Sequence, residues 1–313
     1  MVALSHKATQ YGWFALKVFI LALAFVFVYS KFSEIDSHSW IIIWKVFQIK
    51  NMSYVLLFLS LATGNWLLEI KKWQVITSVL KKISFWEATQ QSLAALTVSL
   101  ATPNRIGDYG AKAMYFDKHQ QKKILFLNFI ANGFQFLITF IFGMVGFWKT
   151  FPYLQYQISI PTWIGFFCVI IVISIMSYIF RKKEWFIKGL SIDHIWQAYK
   201  KLPSLITWKT LFFAGLRYGL FSTLFYLLLQ FYGAESSFLE TIPFIFCMYL
   251  LVSVIPTFLV VDILVRGSVA IGLLTILEIP ETIIVATVFS MWLLNFFLPA
   301  TIGSYYVLKF KRV

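Results

Sequence analysis

Acid is scarce in this chain. Thirteen Asp and Glu stand against 27 Lys and Arg, and the four charged types together make up only 13% of its 313 residues. A soluble domain carries about a quarter charged residues and close to half apolar ones; here 60% are hydrophobic and the mean hydropathy is +0.78. Cysteine is almost absent. Cys168 and Cys247 both lie in apolar runs, which excludes a disulfide framework and any cysteine-based metal spacing. None of the four histidines (His6, His38, His119, His194) falls in an apolar run. No G-x-S-x-G, no phosphate-binding P-loop and no carboxylate pair at metal spacing occurs. No metal and no cofactor is therefore expected.

What is present in quantity is long apolar sequence. Runs at 12–30, 52–70, 124–147, 162–180, 205–229 and 281–308 are each long enough to cross a bilayer. No A-x-A site follows the first run, so an uncleaved signal anchor is expected there. The formal charge of +14 would point to nucleic acid in a soluble protein. Here the basic residues gather in short stretches between apolar runs, so cytoplasmic loops facing anionic lipid are the better reading. No nucleic-acid partner is expected.

Two regions fit no simple span. Residues 84–117 are polar for a crossing, with lysine clusters on both sides: Lys71, Lys72, Lys81 and Lys82 before, Lys118, Lys122 and Lys123 after. Both ends favour the cytoplasm, which predicts a re-entrant hairpin rather than a crossing. Residues 241–279 are apolar but too long for one crossing, and Pro256, Asp262 and Arg266 interrupt them. They are read as a second hairpin, entering from outside. Non-helical backbone at membrane depth needs protein or a water-filled cavity around it.

The predicted fold is thus an all-α polytopic membrane protein, with six full spans and two opposed re-entrant hairpins in an inverted repeat. Residues 1–150 form the first repeat and 151–313 the second. Eight simple transmembrane helices are the alternative. Asp108 and Asp262, Lys112 and Arg266, and Ser99 and Ser253 are each 154 residues apart, which supports the repeat. Both termini and the loops 71–83, 118–123 and 181–203 are placed in the cytoplasm, and the membrane is taken as the plasma (inner) membrane. Segments 71–83 and 184–202 have apolar residues on one helical face and lysines beside it, which suits helices lying on the membrane surface.

The stretch 102–114, TPNRIGDYGAKAM, holds the sharpest signal. Pro103 breaks a helix, and Gly107 and Gly110 permit a turn or a close approach. Helix resuming near Asp108 would aim free N–H groups inward beside Arg105, a setting for phosphate. Asp108 and Lys112 are also spaced as a simple i,i+4 ion pair. Arg217 sits at the middle of the 205–229 run, where an arginine costs roughly 2.5–3.5 kcal/mol unless it pairs or meets water; Asp108 and Asp262 are its expected partners. Asn128, Asn132, Gln135 and Thr139 form one polar stripe on the 124–147 helix. Thr63, Gly64 and Asn65 form a smaller patch.

TPNRIGDYGAKAM resembles the P-G-R-x-G-E signature of the flippase-like membrane family, which includes the membrane region of lysylphosphatidylglycerol synthases. LNFFLPATIG, residues 294–303, resembles that family's closing pattern of an aromatic, a proline (here Pro299) and a glycine. Asn104 stands where the family has Gly, Asp108 where it has Glu, and IPTFLVVDILVRG lacks the Pro-Gly-Gly of the second hairpin. The resemblance is to the membrane region alone and does not carry aminoacyl transfer.

The expected function is binding and translocation of an anionic phospholipid or lipid-linked headgroup, with a membrane lipid as the partner. Arg105, Arg217 and Arg266 would hold phosphate, aided by Lys112, Asn128, Asn132 and Gln135, with Asp108 and Asp262 positioning the cations. A membrane-embedded transferase acting on a lipid-linked phosphate is the enzymatic alternative, and a non-transporting scaffold the third.

Overall fold

The computed structural model describes residues 41, 52–100, 102, 105–154, 192–255 and 261–310. The predicted spans 12–30 and 162–180, and Pro103, Asn104 and Pro256, lie outside them. Every regular element among the described residues is helical. Backbone polar groups cannot be left bare in hydrocarbon, and a helix satisfies them within one segment.

Among the described residues, four helices are long and apolar enough to cross a membrane. They are α1 (Met52–Thr77), α4 (Gln121–Leu154), α6 (Ser204–Tyr232) and a run spanning Glu281–Lys309. That last run comprises α9 (Glu281–Trp292), a π-helical turn Leu293–Phe297 and α10 (Leu298–Lys309). Between them lie α2 (Phe85–Leu100), the short α3 (Gly107–Ala113), α5 (Ile192–Lys200), α7 (Phe238–Val254) and α8 (Val261–Leu274).

Two expected boundaries move. Residues 71–77 continue α1 instead of forming a separate surface helix, and α4 runs on through Pro152 to Leu154. The move has energetic content. Trp73 and Ile76 are buried with Ile83, Ala88, Ala113 and Phe116 in one apolar cluster, so this turn of helix packs on the protein rather than on a membrane surface. The second surface segment is helical over Ile192–Lys200. Its Trp196 is exposed, with Lys200 Nζ 5.2 Å from the ring centroid, while Tyr199 packs edge-on against Phe134.

The two helix-break-helix segments start alike. Ser84 N donates to Glu87 Oε2 at 2.6 Å and Glu87 N to Ser84 Oγ at 3.1 Å. Ser237 and Glu240 make the same reciprocal box, satisfying amides that a helix start leaves free. Within the first segment, the start of α2 (Ala88) and the end of α3 (Ala113) share the cluster that holds Trp73 and Ile76, so the chain leaves the end of α1 and returns to it.

Helix pairing is reciprocal across the chain. The long helices α1 and α6 pack along each other. α4 packs on α7, where Gly143 and Gly146 meet Leu250 and the backbone of Pro243 and Cys247. α10 packs on α2, where Gly303 meets Leu93 O and Thr97 Oγ1. Small residues permit such approaches in a bilayer, where packing rather than solvent exclusion drives association. A Cβ on Gly303 would sit 2.1 Å from Leu93 O, whereas a Cβ on Gly133 meets nothing within 4 Å. Gly303→Ala is therefore expected to cost at least about 1–3 kcal/mol, and Gly133→Ala to be neutral or stabilising by up to about 1 kcal/mol. Thermal midpoints of the two variants in detergent check this; equal midpoints would refute the close contact.

Candidate functional site

Two connected cavities lie among α1, α2, α3, α4, α6, α7, α8 and the π turn. The first, about 280 Å³, is lined by Glu69, Ser92, Asp108, Lys112 and Asn132 among others. The second, about 200 Å³, is lined by Asn65, Gln135, Tyr249, Arg266 and Asn295 among others. Arg105, Arg217 and Phe296 line both.

At the first break, Thr102 Oγ1 accepts from Gly107 N at 2.8 Å. The amide expected to face a ligand is thus already capped, and α3 has only 7 residues. Any anion affinity here rests on side-chain cations rather than on a helix end. Gly107 is needed for proximity, since a Cβ would lie 2.7 Å from Thr102 Oγ1 and 2.8 Å from Val98 O. Gly110 is not, being inside α3 with open space beside it. Arg105 has φ +57°, a left-handed conformation that non-glycine residues adopt at a cost and that gathers at functional sites. Its guanidinium lies 4.4 Å from the Phe296 ring centroid, and that of Arg266 lies 5.9 Å from the same ring. Each such contact stabilises by roughly 0.5–2 kcal/mol.

Arg217 does not take its expected partner. Its ion pair among the described residues is with Glu69, Nη1 to Oε2 at 3.1 Å, and Nη1 also donates to Gln135 Oε1 at 3.3 Å. Glu69 further meets Lys72 at 2.7 Å and Lys112 at 4.0 Å. Lys72, expected in a cytoplasmic loop, is buried with its side chain 1% exposed. Asp108 instead pairs with Lys112 at 3.1 Å and accepts from Asn128 Nδ2 at 2.7 Å. Asn128 Oδ1 in turn accepts from Lys112 Nζ, which also lies 4.6 Å from the Trp73 ring centroid.

Of the residues expected at the site, Arg105, Asp108, Lys112, Asn132, Gln135, Arg217 and Arg266 line the cavities. Asn128 stands behind the wall, wholly buried, and fixes Asp108 and Lys112. Asp262 lies at the start of α8, one turn before Arg266. Glu69 was not among the expected residues, although it joins the two cavities' cations.

Pro299, expected as a break, sits in continuous helix just after the π turn. Lacking N–H, it cannot donate to the carbonyl four residues back, that of Asn295. Trp66 Nε1 donates to that carbonyl at 3.1 Å, and Asn65 Nδ2 donates to Asn295 Oδ1 at 2.8 Å. These bonds tie α1 to the closing helix beside the second cavity. π turns are frequent at functional sites, and here the turn brings Asn295 and Phe296 to the cavity wall.

The arrangement can hold an anion between guanidinium groups in a setting partly shut off from water, with Glu69 orienting that of Arg217. No His, Cys, Asp or Glu cluster able to hold a metal occurs among the described residues. No family model, curated protein or solved structure matches the chain, so the resemblance to the flippase-like membrane family rests on the residues of the first break and the closing helix alone.

Proposed function

We propose that this chain is an integral membrane protein that binds and translocates an anionic phospholipid or a lipid-linked headgroup. The observation that supports it most is the meeting of Arg105, Arg217 and Arg266, carried by three separate segments, around two joined cavities beside helix breaks. Broken helices at a repeat interface are where many transporters bind substrate.

The segments 84–117 and 241–279 are read as opposed re-entrant hairpins in an inverted repeat. Four features support this reading: the return of the first segment to the end of α1, the paired Ser-x-x-Glu starts, the α1–α6 packing, and the exchange by which α4 meets α7 while α10 meets α2. The lysines at 81, 82, 118, 122, 123, 200 and 201 support a cytoplasmic position for those loops by the positive-inside rule, and the membrane is read as the plasma membrane. A single cysteine at position 121, in a variant lacking Cys168 and Cys247, should resist an impermeant thiol reagent added outside; rapid labelling would overturn this orientation.

A membrane-embedded transferase would need a free carboxylate base beside the phosphate. Glu69 and Asp108, which line the first cavity, are both held by cations, so neither is free to serve as that base. Lipid carried through purification, identified by mass spectrometry and then offered in proteoliposomes with a bilayer-sidedness assay, tests the proposal. An anionic lipid should be enriched and should exchange between leaflets faster than in protein-free vesicles. Neither enrichment nor exchange would defeat it.

A further inference from the structure

The second cavity is walled differently from the first. Glu69, Asp108 and Lys112 line the first. Around the second, beside the arginines, stand uncharged hydrogen-bonding side chains and aromatic rings. The rings of Tyr218 and Phe221 lie with centroids 6.1 and 5.1 Å from that of Tyr249, so the three form one aromatic wall.

The hydrogen bonds already made on this wall fix what it can still offer. Thr139 Oγ1 donates to Gln135 O at 3.0 Å, and Ser253 Oγ donates to Leu250 O at 2.7 Å. Each hydroxyl has one proton, so both have only lone pairs left for a ligand. Asn65 Oδ1 is a third acceptor, buried with no partner among the described residues. Arg217 Nε and Tyr249 Oη are buried and without a partner in the same sense. The first of these can only donate, and the second can do either. Asn65 and Tyr249 are 1% and 8% exposed, and buried polar groups left bare are disfavoured. A single bridging water needs on the order of 10–15 Å³, whereas the cavity offers about 200 Å³.

We infer that the second cavity takes a polyhydroxyl group, a sugar or polyol, carried on the phosphate that the arginines hold. This rests on the proposed reading of the cavities as a headgroup site and narrows its substrate class to glycosyl or polyol phosphates. An ionised phosphate has no proton to give Asn65, Thr139 or Ser253. An ammonium group has no lone pair to accept from Arg217 Nε. A hydroxyl both donates and accepts. The C–H faces of a sugar ring also pack well on aromatic faces, whose π clouds are negative.

The same group occurs on a lipid or on a soluble phosphate, and one set of measurements separates them. Thermal unfolding of the full chain is followed in a polyoxyethylene detergent, which carries no sugar of its own. Phosphatidylinositol and phosphatidylglycerol, whose headgroups bear hydroxyls, are compared with phosphatidylmethanol, a lipid diester of the same charge without them. Inositol phosphate and glycerol phosphate are set against methyl phosphate as soluble counterparts, at constant ionic strength. A polyol lipid should stabilise at a mole fraction about tenfold or more below that of phosphatidylmethanol, since a site built to bond hydroxyls rejects the analogue lacking them. Tyr249→Phe removes only a hydroxyl with no partner among the described residues. It should leave the midpoint without ligand unchanged and shrink that ratio about two- to tenfold. If a soluble polyol phosphate matches or exceeds the polyol lipids and outdoes methyl phosphate, the polyol stands and its source is soluble. If neither series prefers its polyol members to its methyl member, or the preference survives Tyr249→Phe undiminished, the second cavity does not hold a polyol while a headgroup site survives. If no lipid and no soluble ester stabilises the protein, both readings fall.

Discussion

Glu69→Gln is expected to lower the thermal midpoint in detergent more than any other single change at the site, at a cost of about 3–5 kcal/mol. The substitution keeps the shape of the side chain and removes its charge. Lys72, 1% exposed, then loses the carboxylate 2.7 Å away, and Arg217 loses its own ion pair. Lys112 retains Asp108 and Asn128. The damage should therefore trace mainly to Lys72, an ammonium group left buried beside an amide. Lys72→Met added to Glu69→Gln should recover half or more of the loss, because Met fills a similar volume without a charge. The coupling between the two positions is then read from the four midpoints of the cycle. Normal stability of Glu69→Gln would mean that the ion cluster is not formed in the bilayer. A double variant less stable than the single would mean that Lys72 is stabilised by something other than Glu69.

Arg217→Ala is expected to leave the fold less damaged and to abolish the retention of lipid. Glu69 keeps Lys72 and Lys112 when Arg217 is removed, so no carboxylate is stranded. What disappears is the guanidinium shared by both cavities. Arg217→Lys should retain an intermediate amount. Lys keeps the charge near Glu69 but cannot replace a planar fork that engages Glu69 and Gln135 and, under the proposed function, would engage a phosphate as well. Lipid-to-protein ratio by mass spectrometry, beside the thermal midpoint, measures both effects. If Arg217→Ala folds normally and keeps its lipid at the wild-type ratio, Arg217 does not hold the ligand.

Hydropathy alone located the four long helices, with runs at 52–70, 124–147, 205–229 and 281–308 each contained in an observed helix or helical run. Composition works at this level because a bilayer-spanning helix must be apolar over most of its length. It works poorly at the ends. Glu69 lies at the end of the 52–70 run, and Lys72 falls just beyond it, next to Lys71, and reads as the start of a basic loop. Their i,i+3 spacing on an uninterrupted helix was the available signal, since it permits a pair that neutralises itself. The partner of Arg217 was misplaced for a different reason. Asp108 and Asp262 were the acids nearest the breaks, but which helices face α6 is a matter of tertiary packing, and α1 packs along it most extensively. The paired starts Ser84-Phe85-Trp86-Glu87 and Ser237-Phe238-Leu239-Glu240, 153 residues apart, were legible and stronger than the isolated matches at 154. Arg217 and Arg266 were legible because each is an anomaly in an apolar run, and Arg105 because it stands in a proline–glycine break.

The π turn at Leu293–Phe297 absorbs one extra residue between two stretches of one rod and so keeps them in phase. A π turn carries one residue more than α-helix of similar rise, and each residue advances an α-helix by about 100°. Upstream, α9 is phased so that Val288, Met291 and Trp292 face the core shared with α6, α7 and α8. Downstream, α10 is phased so that Gly303 meets Leu93. Deleting Leu294 would let the rod close as plain α-helix over nearly the same turn and rise, so Gly303 would stay on α2 while the bulge that carries Asn295 and Phe296 to the cavity wall is lost. If the same residues re-formed as α-helix with none removed, everything beyond would instead rotate by about 100° and Gly303 would swing off α2. A single deletion in this segment is therefore expected to act at the cavity wall, where it is made, and to spare the far end of the helix.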